Sequence, residues 1–138
     1  MNSVRSLVLF VGLYGVVGTA CAPATFTEVQ NDILTPSCAA EGCHSSFIPE
    51  RGLDLSEGNS FAAMVNVAAQ ESGYTLVVPG DADQSLMYLV LENDLYGDGE
   101  DQPATLGKMP PRISESEGLS SSQRSVMRSW IDDGALDN

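Results

Sequence analysis

The fold of this chain depends on one stretch, Cys38-Ala39-Ala40-Glu41-Gly42-Cys43-His44. It contains two cysteines in close succession, and a histidine follows the second of them directly. His44 is the only histidine among the 138 residues, and Cys21 is the only other cysteine. Because a lone histidine rarely falls by chance directly after a close cysteine pair, this stretch indicates a binding site whose occupant helps to fill the core.

Two close thiols followed by a histidine are what covalent attachment of haem requires. The thiols bond to the two vinyl groups of the porphyrin, and the adjacent histidine faces the iron. Two residues usually separate the thiols, whereas four separate Cys38 from Cys43. Since three of these four are Ala or Gly, the longer backbone can bulge outward without striking the porphyrin. The stretch therefore predicts a haem site.

Two other roles of the same residues stay open, and the spacing argues against a third. A disulfide between Cys38 and Cys43 suits an exported protein, because an oxidising compartment can close so short a loop. A structural zinc ion usually takes four protein ligands, and only carboxylates or methionines are left to complete such a set. A redox-active thiol pair would have the spacing C-x-x-C, which this stretch lacks.

A six-coordinate haem also needs a second axial ligand, and a methionine opposite the histidine raises the reduction potential. Met64, Met87 and Met127 fall within predicted helices, where methionine usually packs in the core. Met109 stands instead in Gly107-Lys108-Met109-Pro110-Pro111, whose prolines reduce the entropy lost on fixing one side chain. The local sequence leaves two roles for Met109, distal iron ligand or partly buried loop residue.

Hydrophobic periodicity predicts a helix directly ahead of the two cysteines. It spans residues 25–34, begins with a capping box of Thr25 and Glu28, and is stopped by Pro36. A second helix is predicted to start at Asn59 or Ser60. The apolar residues expected to face the core are Phe26, Val29, Ile33 and Leu34 in the first helix, and Phe61, Met64, Val65 and Ala68 in the second.

Two further helices are predicted, over residues 84–92 and 120–133, which makes an all-α fold of about four short helices with long Gly- and Pro-rich loops. The last helix begins with a capping box of Ser120 and Gln123 and ends at Gly134. Residues 93–118 are predicted to be loop, so Met109 is expected outside any helix. The apolar residues expected inside are Leu86, Leu89, Val90, Leu119, Val126, Met127, Trp130 and Ile131.

Residues 1–24 have the layout of a secretory signal peptide, so the folded domain is predicted to cover residues 25–138. Arg5 precedes an apolar run that is too short to span a bilayer. We predict a lipoprotein signal that ends before Cys21, the lipidated residue, because Cys21 follows the apolar run at the more usual distance. Cleavage before Thr25 is the alternative. Both cleavage sites predict export. The mature protein is then expected in the periplasm or attached by a lipid anchor to a membrane of a bacterial cell envelope.

The chain is strongly acidic, with six Lys and Arg against nineteen Asp and Glu and a formal net charge of −13. Such a surface repels phosphate backbones, which argues against nucleic acid as a partner, and it attracts basic protein surfaces. Solubility of an exported protein is the alternative explanation for the acidity.

Six short motifs follow one another after residue 25: C-A-A-E-G-C-H at 38–44, G-L-D-L-S at 52–56, V-P-G-D at 78–81 with S-L at 85–86, K-M-P-P at 108–111, L-S at 119–120 and W-I-D-D-G-A at 130–135. This order resembles the c-type cytochrome domains of exported bacterial proteins, particularly the planctomycete and myxobacterial groups. The resemblance implies a cytochrome c-like fold around one covalently bound haem c, with the first and last helices crossing near Phe26 and Trp130. It also implies thioether bonds at Cys38 and Cys43, a proximal ligand at His44 and a distal ligand at Met109.

The function expected from these residues is non-enzymatic electron transfer between redox partner proteins of the cell envelope, whose surfaces are expected to be basic. The alternative is an exported binding or interaction module with a disulfide between Cys38 and Cys43 and no haem. A haem peroxidase would need an open distal position with polar groups, usually including a second histidine, and the chain has only His44.

Overall fold

Four short α-helices and long connections make up the computed structural model, which describes residues 22–70, 73–92, 109–110 and 118–138. The helices are α1 (Phe26–Val29), α2 (Ser60–Met64), α3 (Leu86–Glu92) and α4 (Ser121–Asp132). A π-helical segment, Gln30–Cys38, follows α1 directly, and two 3₁₀ turns lie at Glu50–Gly52 and Ala82–Gln84. Isolated β-bridges occur in the described ranges, but no strand does. The predicted all-α class is confirmed for these residues.

The first helix starts as predicted but does not stop at Pro36. Thr25 caps it, and Glu28 completes the capping box. Beyond Val29 the chain continues as the π-helical segment, with Pro36 inside it. Hydrogen bonds in this segment join residues five apart, as between the N–H of Ala39 and the carbonyl of Leu34 at 2.7 Å. The carbonyl of Asp32 also accepts a 2.7 Å hydrogen bond from Gln123 Nε2 of α4, which joins the segment to the last helix. The predicted stop at Pro36 is wrong, since the segment runs on to Cys38.

An aromatic cluster joins α1 to α4. The ring of Phe26 lies 5.1 Å from that of Phe61 and 5.4 Å from that of Trp130, between ring centroids. Trp130 is almost fully buried, and its Nε1–H donates to the carbonyl of Leu136 at 2.9 Å. Since buried aromatic rings contribute large apolar areas and favourable edge contacts, this cluster fixes the first helix against the last. The expected proximity of Phe26 and Trp130 is confirmed.

Helix α2 is shorter than the sequence pattern suggests. After Met64 the backbone becomes extended, and the chain forms isolated bridges with residues 75–77. The N–H of Asn66 donates to the carbonyl of Val77 at 2.9 Å, in place of a helical hydrogen bond. Met64 is buried, but Ala68 lies beyond the helix and is exposed. The prediction that Ala68 faces the core from a helix is therefore wrong.

Helices α3 and α4 agree with the predicted pattern except near the start of α3, where residues 82–84 form a 3₁₀ turn. Ser120 caps α4 and Gln123 completes its capping box. Gly134, at φ +104°, ends α4, and the N–H of Ala135 donates to the carbonyl of Trp130 at 2.8 Å. The apolar residues predicted to face inward from these helices are buried, apart from two that are half-buried, Leu89 and Val126.

Several predictions concern residues outside the described ranges. They include the signal peptide up to Cys21, lipidation of Cys21, the acidic loop at 93–101 and most of the irregular segment at 102–118. Met109 and Pro110 are described and are not helical, as predicted. No helix within the described ranges has both the length and the apolar composition needed to cross a membrane.

Candidate cofactor site

An apolar cavity of about 640 Å³ lies between the cysteine-containing stretch, the segment after it and α3. Its volume falls in the range of about 300–1,000 Å³ typical of small-molecule and cofactor sites. Cys38, Cys43, His44 and Met109 all line it. The structure thus brings together, at one cavity, all four residues that the sequence singles out. The remaining lining is largely aliphatic and includes Leu53, Leu55, Val67, Leu76, Leu86 and Val90.

The stretch between the two cysteines forms a backbone loop that closes on itself. The N–H of His44 donates to the carbonyl of Cys38 at 3.1 Å, and that of Cys43 donates to the carbonyl of Ala40 at 3.0 Å. Gly42 has φ +83°, a conformation that costs glycine little and other residues more. Because the chain turns back here, both cysteines reach the same cavity despite the four residues between them.

The two thiols differ in exposure and are not bonded to each other. Cys38 is buried and Cys43 is half-buried. Burial, followed by the charge of the neighbouring Cys43 thiolate, raises the pKa of the Cys38 thiol from 9.0 to about 11. Cys38 therefore stays protonated and poorly nucleophilic at neutral pH in the folded chain with free thiols.

Alkylation of Cys38 by iodoacetamide in the folded haem-free protein is expected to be slow at pH 7. The rate should rise about tenfold per pH unit, because the thiolate is the reacting form, and should level off near a pH of about 11. Because burial raises the pKa of Cys38 above that of the unfolded chain, the free energy of unfolding should fall as the pH rises from 9.0 to about 11. Peptide mass spectrometry after timed labelling measures the rate, and the urea-unfolded chain is the control. Equal labelling of folded and unfolded Cys38 at pH 8 would contradict the burial of this thiol.

The imidazole of His44 is held by a backbone carbonyl. Its Nδ1 lies 3.2 Å from the carbonyl oxygen of Leu53, and since a carbonyl can only accept, Nδ1 carries the hydrogen. The neutral ring therefore keeps its lone pair on Nε2, the arrangement found in most metal-ligating histidines. The N–H of Leu55 donates to the carbonyl of His44 at 2.8 Å. Residues 53–55 thus fix both the ring and the backbone of His44.

A buried glutamine supports the segment that holds His44. Gln30 is 5% exposed, and its Nε2 donates to the carbonyl of Leu55 at 3.2 Å and to Thr35 Oγ1 at 3.0 Å. The hydroxyl of Ser60 donates to Gln30 Oε1. Gln30 therefore ties the first helical segment and α2 to residues 53–55. Sequence reasoning missed this role, although a polar residue between Val29 and Ile33 of the apolar face was a usable signal.

Replacing Gln30 with alanine is expected to lower the free energy of unfolding by about 1–3 kcal/mol, because buried hydrogen-bonding groups lose their partner. Urea unfolding followed by circular dichroism measures the change. Asn31→Ala, at the neighbouring exposed position, is the control and should change stability by less than about 0.5 kcal/mol. Equal effects of the two substitutions would show that the buried network contributes nothing.

Met109 reaches the cavity because its backbone is anchored to the end of α3. Its N–H donates at 3.1 Å to the carbonyl of Val90, one of the last four carbonyls of the helix, which have no donor within it. The side chain is half-buried and lines the cavity. Met64, Met87 and Met127 are buried in the core, as predicted. Met87 lines the same cavity as well, a role that its place within a helix did not suggest.

Comparison of the chain with protein families, curated proteins and solved structures finds no match. Within the described ranges, no group of three or more His, Cys, Asp or Glu side chains is placed to hold a metal ion. The cavity offers two thiols, one imidazole and two thioethers against a largely aliphatic lining, with Glu50, Arg51 and Gln70 as its charged and amide groups.

Proposed function

We propose that this protein is an electron-transfer protein of the c-type cytochrome class that binds one haem. One observation carries the proposal: Cys38, Cys43, His44 and Met109 line the same apolar cavity of about 640 Å³. Cys38, Cys43 and His44 are close along the chain, so the support comes chiefly from Met109, a distant residue that lines the same cavity.

The residues around the cavity fit a haem in chemistry as well as in number. A porphyrin is a large apolar ring, and most of the side chains around it would be aliphatic. Cys38 and Cys43 would form the thioether bonds, and His44, with its hydrogen on Nδ1 directed to Leu53, would offer Nε2 to the iron. Met109 would supply the distal sulfur.

Haem, when bound, supplies one-electron redox chemistry, and the protein sets its potential through axial ligands and burial. The carbonyl of Leu53 keeps the imidazole of His44 in one tautomer and one orientation. Anchoring of the Met109 backbone to Val90 restricts where the thioether can lie. The aliphatic lining would place apolar side chains against the porphyrin. None of these roles is catalytic, and we propose no enzymatic activity.

The proposal also includes the location of the protein and the charge of its partners. The protein would act in the periplasm, or attached through a lipid at Cys21 to a membrane of the cell envelope. Its net charge of −13 favours redox partners with basic surfaces.

The test is to produce the protein in a host that attaches haem to exported proteins. A red protein with a sharp α-band on reduction is expected, and the colour should remain with the denatured chain during extraction with acidified organic solvent. The variant with both Cys38 and Cys43 changed to alanine is the matched control and should release all pigment. A colourless wild-type protein whose mass rises by two protons on reduction would instead establish the disulfide alternative.

A further inference from the structure

The loop that follows His44 carries unusually exposed apolar side chains. Phe47 is 82% exposed and Ile48 is 51% exposed, and Pro49 beside them is exposed too. A phenylalanine so open to water gains nothing from folding, since its apolar area remains hydrated. Adjacent exposed apolar residues of this kind mark contact sites more often than single ones do. We call Phe47 and Ile48 the apolar tip.

The apolar tip is held outward by hydrogen bonds on both sides. The N–H of Ser46 donates to Ser56 Oγ at 2.8 Å, and the N–H of Glu50 donates to the carbonyl of Cys43 at 2.8 Å. With both flanks of the loop fixed, the tip is presented by an ordered backbone. A contact surface that is already ordered loses less entropy when a partner binds.

Acidic residues predominate in the sequence on both sides of the apolar tip. Glu41, Glu50 and Glu57 are exposed, and Asp54 is half-buried. Arg51 is the one cation in the sequence between residues 41 and 57. Since the loop packs beside residues 53–56 through Ser46 and Ser56, these carboxylates lie on the segments that border it. The tip thus combines an apolar centre with neighbouring segments that carry four carboxylates and one guanidinium, and a polar rim around an apolar centre is usual for a protein-binding site.

We propose that the apolar tip is the docking surface for a redox partner protein that presents Lys and Arg around an apolar patch. The inference rests on the proposed function and adds to it the place of contact. The tip begins three residues after His44, so a partner seated on it lies beside the segment that holds the proximal ligand. Opposite charges steer the encounter, and Phe47 and Ile48 supply the short-range contact.

The experiment is stopped-flow electron transfer from the reduced haem-loaded protein to an oxidised, positively charged cytochrome c used as the probe. The variant with Phe47→Ser and Ile48→Ser is expected to react about tenfold more slowly, which corresponds to the loss of one interface hot spot. Leu136→Ser, at an apolar residue that is 60% exposed on another part of the chain, is the matched control and should react within about twofold of wild type. The wild-type rate should fall as ionic strength rises.

Each contrary result has a separate meaning. A double variant with an intact haem spectrum that reacts as fast as wild type overturns the docking surface alone. So does a wild-type protein that reacts no faster with the cationic probe than with an anionic redox protein of similar potential. A concentration-dependent dimer that the double variant abolishes would assign the tip to a second copy of this chain instead. Absence of haem absorption contradicts the proposed function itself, and the assignment of a redox partner fails with it.

Discussion

Replacing Met109 with alanine is expected to abolish the sulfur-to-iron absorption band of the oxidised protein and to lower its reduction potential. A thioether opposite a histidine raises the potential of haem, so its loss should lower the potential by on the order of 100 mV, within the range of about 0.8 V that axial ligands control. Near-infrared spectroscopy and redox titration measure the two effects. Because Met109 is half-buried, the folded structure should survive the change.

Met87→Ala is the matched control, since Met87 lines the same cavity and is 7% exposed. This substitution should leave the band in place and lower the free energy of unfolding by about 2–5 kcal/mol, as is usual for a large residue removed from a core. The reverse result, in which only Met87→Ala loses the band, would make Met87 the distal ligand and would contradict the role given to Met109.

Exchange of His44 for asparagine should remove the proposed proximal ligand while keeping a donor for the carbonyl of Leu53. The amide Nδ2 of asparagine can replace the 3.2 Å hydrogen bond made by Nδ1, but it offers no imidazole nitrogen to the iron. Haem should remain attached through the thiols, the low-spin α-band should be lost completely, and added imidazole should restore it. Visible spectroscopy with and without imidazole provides the measurement.

Ser45→Ala is the control at the adjacent position. Ser45 Oγ is buried and finds no hydrogen-bond partner among the described residues, so its removal should be neutral or stabilising by up to about 1 kcal/mol. Its spectrum should match that of wild type. An unchanged α-band in the asparagine variant would exclude His44 as the ligand. The ligand would then have to be a side chain of another type, because the chain has no second histidine.

Features that depend on neighbouring residues could be predicted from the sequence. Both capping boxes, at Thr25 and Ser120, lie within four consecutive residues and form as expected. Gly134 ends the last helix because the turn needs a positive φ, which glycine adopts most easily. The meeting of Cys38 with His44 also follows from their closeness along the chain.

Features that depend on distant residues could not be predicted in the same way. The π-helical segment that contains Pro36 is joined to the last helix by a hydrogen bond from Gln123 to the carbonyl of Asp32, across 91 residues. Helix α2 ends early because residues 75–77 offer bridges that no local pattern announces. The place of Met109 at the cavity depends on Val90, whose free carbonyl is a consequence of where α3 ends. The local sequence left two roles open for Met109, and only the family resemblance favoured that of distal ligand.

The contacts between Asn138 and α1 have a consequence for the order in which parts of the chain fold. The N–H of Phe26 donates to Asn138 Oδ1 at 2.9 Å, across 112 residues, and the hydroxyl of Thr27 donates to the backbone oxygen of Asn138 at 3.0 Å. Loops this long close late, because their entropy must be lost before the contact forms. The capping box of Thr25 and Glu28 is local and can form early, whereas the bonds to Asn138 can form only after distant parts of the chain have met. The helix that leads to Cys38 is therefore expected to reach its full stability late in folding.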